Sequence, residues 1–166
     1  MKKLLPVFLI ILSLLFTSCN LGGQRRCEDI LLELLPYTSG DSRDNGSIFL
    51  LSAKEGSAEF FSKENKAMLF GENALEHSFS KIEDCAIFIS SRYPEEIAVF
   101  KCYSSSDTDE VVKMCLERAD SINVALRSTE WSDKAQSIRI SVVSKFVLMA
   151  LTDEPDRIEE KMRSAI

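Results

Sequence analysis

Apolar and polar positions fall into blocks of different period along this chain. Leu4–Phe16 is thirteen residues of nearly unbroken apolar character, interrupted only by Ser13. From Glu28 the spacing changes. Ile30, Leu31, Leu34 and Leu35 recur at helical intervals until Pro36, whose missing N–H ends the run. Thr38–Ser47 is rich in Ser, Asp, Gly and Asn and reads as an exposed loop. Ile48–Leu51 predicts a strand, Glu55-Gly56 a turn, and Glu59-Phe60-Phe61 a second short strand. Ser62 then has the position of an N-cap, with Lys63–Phe70 helical and Gly71 as the stop.

The second half is more sharply patterned. Cys85–Ile89 and Ile97–Cys102 are apolar runs on either side of a polar segment centred on Tyr93-Pro94, which predicts a hairpin. Centring its loop between Tyr93 and Pro94 sets Cys85 opposite Cys102. Asp107 and Glu110 fit a capping box at the head of a helix. Val112, Cys115, Ala119, Ile122 and Leu126 form that helix's apolar stripe. Ile138, Ile140 and Val142 alternate with Arg139 and Ser141, as in a half-buried strand, and Ser144-Lys145 can turn it onto Phe146–Leu151. Asp153 and Pro155 open a last helix with Ile158, Met162 and Ile166 on one face.

The order β-β-α-β-β-α predicts an α+β fold. We expect an antiparallel sheet built from hairpins, with amphipathic helices packed on one face. The other face, with Lys101, Arg139 and Ser141, is expected to be partly wet. At 166 residues, 45% apolar and 28% charged, the chain has material for one folded domain. Its expected limits are 28–166.

Charge narrows the partners. The formal net charge is −6. Without Lys2 and Lys3 the remainder holds 18 basic and 26 acidic residues, a net −8. Nucleic acid is excluded as an expected partner, since it requires a basic stripe. An anionic lipid surface would also repel this domain, so attachment to a membrane needs another cause.

The N-terminal block supplies one. Lys2-Lys3 followed by thirteen apolar residues has the length of a secretory signal and falls short of the ~20 residues a spanning helix needs. Phe16-Thr17-Ser18-Cys19 resembles the bacterial lipobox, with Phe16 where Leu is usual. That resemblance implies a signal peptide over 1–18 and acylation of Cys19 by palmitate-like chains, each buried methylene contributing ~0.8 kcal/mol to anchoring. Residues 19–27, with Gly22-Gly23, read as a tether.

Residues 94–120, PEEIAVFKCYSSSDTDEVVKMCLERAD, carry a further resemblance. Glu96–Lys101 is similar to the "EIAVFK" strand of a family of small uncharacterised lipoproteins, mainly from low-GC Gram-positive and often anaerobic bacteria. Asp107–Glu110 matches its Asp-rich helix start, and Leu116–Arg118 its "L-x-R" segment. Ser137–Leu151 is similar to its closing hairpin. The resemblance spans about 84–166 and implies an extracytoplasmic, lipid-anchored protein. It brings no activity with it.

Candidate chemistry is sparse. Cys27, Cys85, Cys102 and Cys115 remain after Cys19. An exported protein can form disulfides, and Cys85 with Cys102 is the pair to test; the alternative is four buried thiols acting as small hydrophobes. No Cys-x-x-Cys exists, and His77 is the single histidine. A zinc site is therefore not expected. Any nucleophilic set would have to use His77, which lies in a polar stretch and has no G-x-S-x-G partner. Glu72, Glu76 and His77 are the best metal grouping, weakened by Gly71 and Asn73. Asp107, Asp109 and Glu110 lack the glycine and final glutamate of a calcium loop. Tyr93, at a loop tip, is the aromatic residue best placed for binding. The expected function is a non-catalytic binding or accessory module of the cell envelope, with no cofactor and no metal. Its partners would be the membrane, through lipid on Cys19, and an unidentified envelope protein or ligand. The alternative is an envelope enzyme with its site around His77. A solute-binding lipoprotein ranks last, because the chain is short for a two-lobed clamp.

Overall fold

The structure, a computed structural model, describes residues 25–166. The expected signal peptide, Cys19 and the tether as far as Gln24 lie outside the described residues. Helix α1 (Cys27–Leu34) and a 3-10 turn (Leu35–Tyr37) lead to a short helix α2 (Gly40–Asp44). Strand β1 (Gly46–Leu50), helices α3 (Lys63–Phe70) and α4 (Glu72–Glu76), and the long hairpin of β2 (Ile82–Ser90) and β3 (Glu96–Cys102) follow. Helices α5 (Thr108–Leu126) and α6 (Ser132–Gln136), strands β4 (Arg139–Val143) and β5 (Phe146–Leu151), and helix α7 (Pro155–Ala165) complete the domain. Among the described residues no helix is long and apolar enough to cross a membrane.

The class is α+β. One antiparallel sheet has the order β1-β2-β3-β5-β4. After β3, the chain crosses through α5 and α6 to the far edge, then returns by β5 to lie beside β3. The return is a two-residue turn, in which Ser144 takes a left-handed backbone (φ 55°). The expected order β-β-α-β-β-α is present from β2 to α7.

Helices cover both faces of the sheet, which corrects the expectation of one. On the first face Ile87, Phe100, Val147 and Met149 pack with Phe61 and Phe70 and with Val111, Met114 and Cys115 of α5. Phe100 and Phe70 meet edge to face at 5.7 Å. On the second, Phe88, Val99 and Leu148 pack under Ile30, Leu31 and Leu34 of α1 and Ile158 and Met162 of α7. The face expected to be wet is thus closed by α1 and α7, burying Lys101 and Ser141 while Arg139 stays exposed at the edge. The strands that both layers cover, β3 and β5, are buried at every position.

Local readings mostly survive. Ser62 caps α3 by accepting from the Asn65 N–H at 3.2 Å, and Gly71 (φ 84°) ends it. Three differ. The 38–47 loop contains α2, capped by Ser39. Glu59–Phe61 makes only an isolated bridge to Leu50. The capping box stands one turn early: Ser104 and Asp107 exchange the reciprocal bonds around a 3-10 turn before α5. The α5 stripe is also rotated, burying Val111 and Met114 while Val112 stays half-buried.

Buried Lys101 is paired at the open end of the hairpin. Glu83 accepts from Lys101 Nζ and from Lys145 Nζ, each at 2.8 Å. The hydrogen bond from Lys101, then that from Lys145, holds the Glu83 carboxyl below the ordinary value of 4.5. A lowered carboxylate stabilises the fold above its unfolded-state value, and that contribution is lost as pH falls through the folded-state value. Glu83→Gln is therefore expected to flatten the loss of stability below pH 4.5. Urea melts of both proteins from pH 7 to pH 3 measure it; parallel pH profiles would contradict the assignment.

Candidate functional site

The β2–β3 hairpin tip is held from several sides. The Ser90 N–H donates to the Glu95 carbonyl at 2.9 Å and the Glu95 N–H to the Tyr93 carbonyl at 2.8 Å. Ser90 Oγ accepts from the Tyr93 N–H at 3.2 Å. The Ser91 N–H reaches the Asn45 carbonyl at 2.9 Å, which ties the tip to the end of α2. These bonds fix Tyr93, which is half-buried rather than free at the tip. Its ring meets Trp131 edge-on at 6.0 Å and its hydroxyl donates to Asp41 Oδ2 at 3.3 Å.

Two carboxylates lie beneath Tyr93. Glu95 is buried and accepts from the Ser39 N–H and hydroxyl, both at 3.1 Å, and from Lys134 Nζ at 3.2 Å. Lys134 also reaches Asp153 at 2.8 Å. Glu96, 4% exposed, takes a two-point contact from Arg118 of α5, with Nε at 3.2 Å and Nη2 at 2.7 Å. A buried charge is tolerable only when paired and hydrogen-bonded, and both of these are. Two of the segments that carried the family resemblance, Glu96–Lys101 and Leu116–Arg118, thus touch through Glu96 and Arg118.

A cleft opens around this group in two lobes that meet at Tyr93. The first, about 220 Å³, lies between the hairpin tip and α5, with Ile89, Ile122, Leu126 and Leu151 on its walls and Glu96 and Arg118 lining it. The second, about 420 Å³, is bounded by Asp41, Trp131, Lys134 and Asp153. Tyr93 is the one residue of this cleft that the sequence put forward as a binding candidate. Trp131 stands at the N-cap of α6 and walls the cleft. The sequence pattern assigns no site role to Glu95, Glu96, Arg118, Lys134 or Asp41. The available signal was Glu95-Glu96 leading into the apolar run Ile97–Phe100, a place where carboxylates demand cations from elsewhere in the chain.

The other candidates lie elsewhere. Cys85 pairs across the hairpin with Phe100, and Cys102 with Ile82, which corrects the expected Cys85–Cys102 register. The ladder closes early, at Ser90 with Glu95, so the loop is centred one residue before the expected point. Cys27, Cys85, Cys102 and Cys115 are all free and buried. Burial, then the Asp84 charge, pushes Cys85 up to about 12. Burial, then Asp107, pushes Cys102 up to about 11. Desolvation raises Cys27 and Cys115 as well. A thiolate is the reacting form, so iodoacetamide at neutral pH is expected to leave all four unmodified in the folded domain and to alkylate all four in denaturant. Mass spectrometry reads this, and rapid alkylation of Cys102 in the native state would refute it.

His77 is exposed at the end of α4, on an open groove of about 610 Å³ with Glu76, Lys81, Glu110 and Lys113. Glu72 and the thiols do not line that groove. Among the described residues no group of three or more His, Cys, Asp or Glu side chains is placed to hold a metal ion. No family model, curated protein or solved structure matches this chain.

Proposed function

We propose that this protein is a lipid-anchored, extracytoplasmic component of the bacterial cell envelope whose domain is a non-catalytic binding or accessory module, with the cleft at Tyr93 as its contact point. The observation that carries the reading is Phe16-Thr17-Ser18-Cys19 directly behind thirteen apolar residues. The resemblance of residues 94–120 to small lipoproteins supports the same location. The free, deeply buried thiols and the fully paired Glu95 and Glu96 support binding over catalysis at this cleft, because these groups are closed off from solvent or already bonded.

Labelling cells with a fatty-acid analogue tests the anchor. Wild type is expected to incorporate label and Cys19→Ala to lose it; equal labelling would refute acylation. A second reading, an envelope enzyme using His77, draws on Glu76 and Glu110 sharing its groove. If His77→Ala, Cys85→Ala and Cys102→Ala each retain whatever phenotype the gene confers, that reading fails.

A further inference from the structure

We infer that the cleft at Tyr93 receives a polypeptide segment presenting one bulky apolar side chain next to a lysine or arginine, approaching from the side away from the N-terminal attachment. The inference rests on the binding role proposed above for this cleft. Its two lobes differ in chemistry. The lobe of about 220 Å³ is walled by Ile89, Ile122, Leu126 and Leu151. That is below the ~300 Å³ at which pockets for drug-sized molecules begin, and it suits one aliphatic or aromatic side chain.

The second lobe carries unbalanced charge. Among the residues lining the two lobes, Asp41, Glu95, Glu96 and Asp153 outnumber the two basic ones, Arg118 and Lys134. Both cations are already bound to Glu96, Glu95 and Asp153. The Asp41 carboxylate holds only the Tyr93 hydroxyl, at 3.3 Å. A basic side chain entering this lobe would neutralise Asp41 beside the rings of Tyr93 and Trp131, which already take Arg92 and Lys134 at 5.9 and 5.8 Å. Adjacent lobes, one apolar and one acidic, match neighbouring side chains of a single peptide.

Position argues against the bilayer as the occupant. The Cys27 N–H donates to Asp84 at the start of β2, at 2.8 Å, whereas Ser39, beyond α1, bonds Glu95 at the opposite end of the hairpin. The chain therefore enters the sheet at one end, and the cleft opens at the other. Nine residues of β2 separate them, roughly 30 Å at the rise of a strand. Cys19 lies six residues before Arg25, a reach of about 20 Å at most. The net −8 of the remainder gives anionic headgroups no hold on the distal end.

Trp131, the single tryptophan, makes the cleft its own reporter. The full chain is reconstituted in phosphatidylcholine vesicles and titrated with the blocked tripeptides Lys-Leu-Lys, Glu-Leu-Glu and Lys-Gly-Lys while Trp131 emission is followed. Lys-Leu-Lys is expected to shift the emission saturably in a roughly millimolar range, with the other two nearly silent. The double variant Asp41→Asn/Asp153→Asn, which changes only exposed carboxylates, is expected to weaken that response about fivefold with an unchanged melting temperature. Tyr93→Ala is expected to abolish it. An equal response to Glu-Leu-Glu overturns the ligand class and leaves the cleft a binding site. Silence with every peptide overturns both. An emission shift on replacing phosphatidylcholine with phosphatidylglycerol, without peptide, assigns the cleft to the membrane and overturns the inference. The fatty-acid labelling of Cys19→Ala reads the anchor separately.

Discussion

Arg118→Ala is expected to destabilise the domain by about 3 kcal/mol, the range for removing one partner of a buried ion pair. The substitution sits on α5, and none of the loss is helical, since alanine is the better helix former. What remains is Glu96, buried at the head of β3 with its two-point partner gone. Replacing both partners separates this cause from simple loss of packing. Glu96→Leu with Arg118→Met should recover stability to within about 1 kcal/mol of wild type, because no charge is then left buried. Urea unfolding of the singles Glu96→Leu and Arg118→Met and of the double closes the cycle. Additive losses would mean that the contact contributes nothing as a pair.

Phe100→Ala should cost more, about 4 kcal/mol. Phe100 is fully buried on the central strand β3, against Phe70 and across from Cys85. Both faces of the sheet are covered there, so the surrounding layers cannot collapse into the space left behind, and the cavity term adds to the transfer term. Phe49→Ala is the control. Phe49 lies on the edge strand β1 and is only half-buried, so its loss should be clearly smaller. Equal losses at the two positions would contradict the packing described for the centre of the sheet.

The coverage of the sheet was partly legible. Ile97–Phe100 and Phe146–Leu151 are continuous apolar runs, the pattern of strands buried on both faces. The clean alternation of Ile138, Ile140 and Val142 belongs to β4, at the sheet edge, and suggested a wet face for the whole sheet. It describes only that edge. Lys101 deepened the error, since a lysine in a strand reads as exposed. Here Glu83 holds its ammonium, and α1 covers the strands on that face. The hairpin register failed for a similar reason: counting outward from Tyr93-Pro94 could not anticipate that Glu95 joins the ladder with Ser90. The cleft was legible at one residue, Tyr93. Its charged lining comes from α2, α5, α6 and the segment before α7, and no spacing in the chain relates these pieces.

By itself the sequence determined the local pieces: the α3 cap and stop, the two hairpins, the start of α7, the α+β class and the acidic balance that removes nucleic acid as an expected partner. These depend on residues a few positions apart, where backbone propensity, capping and hydrophobic period act directly. Only the tertiary structure decided that helices close both faces, that the thiols lie buried and unpaired, and that Glu95 and Glu96 find Lys134 and Arg118. Such pairings join segments 22 to 39 residues apart, and there the outcome rests on which surfaces the packed layers bring together, a quantity no local period encodes.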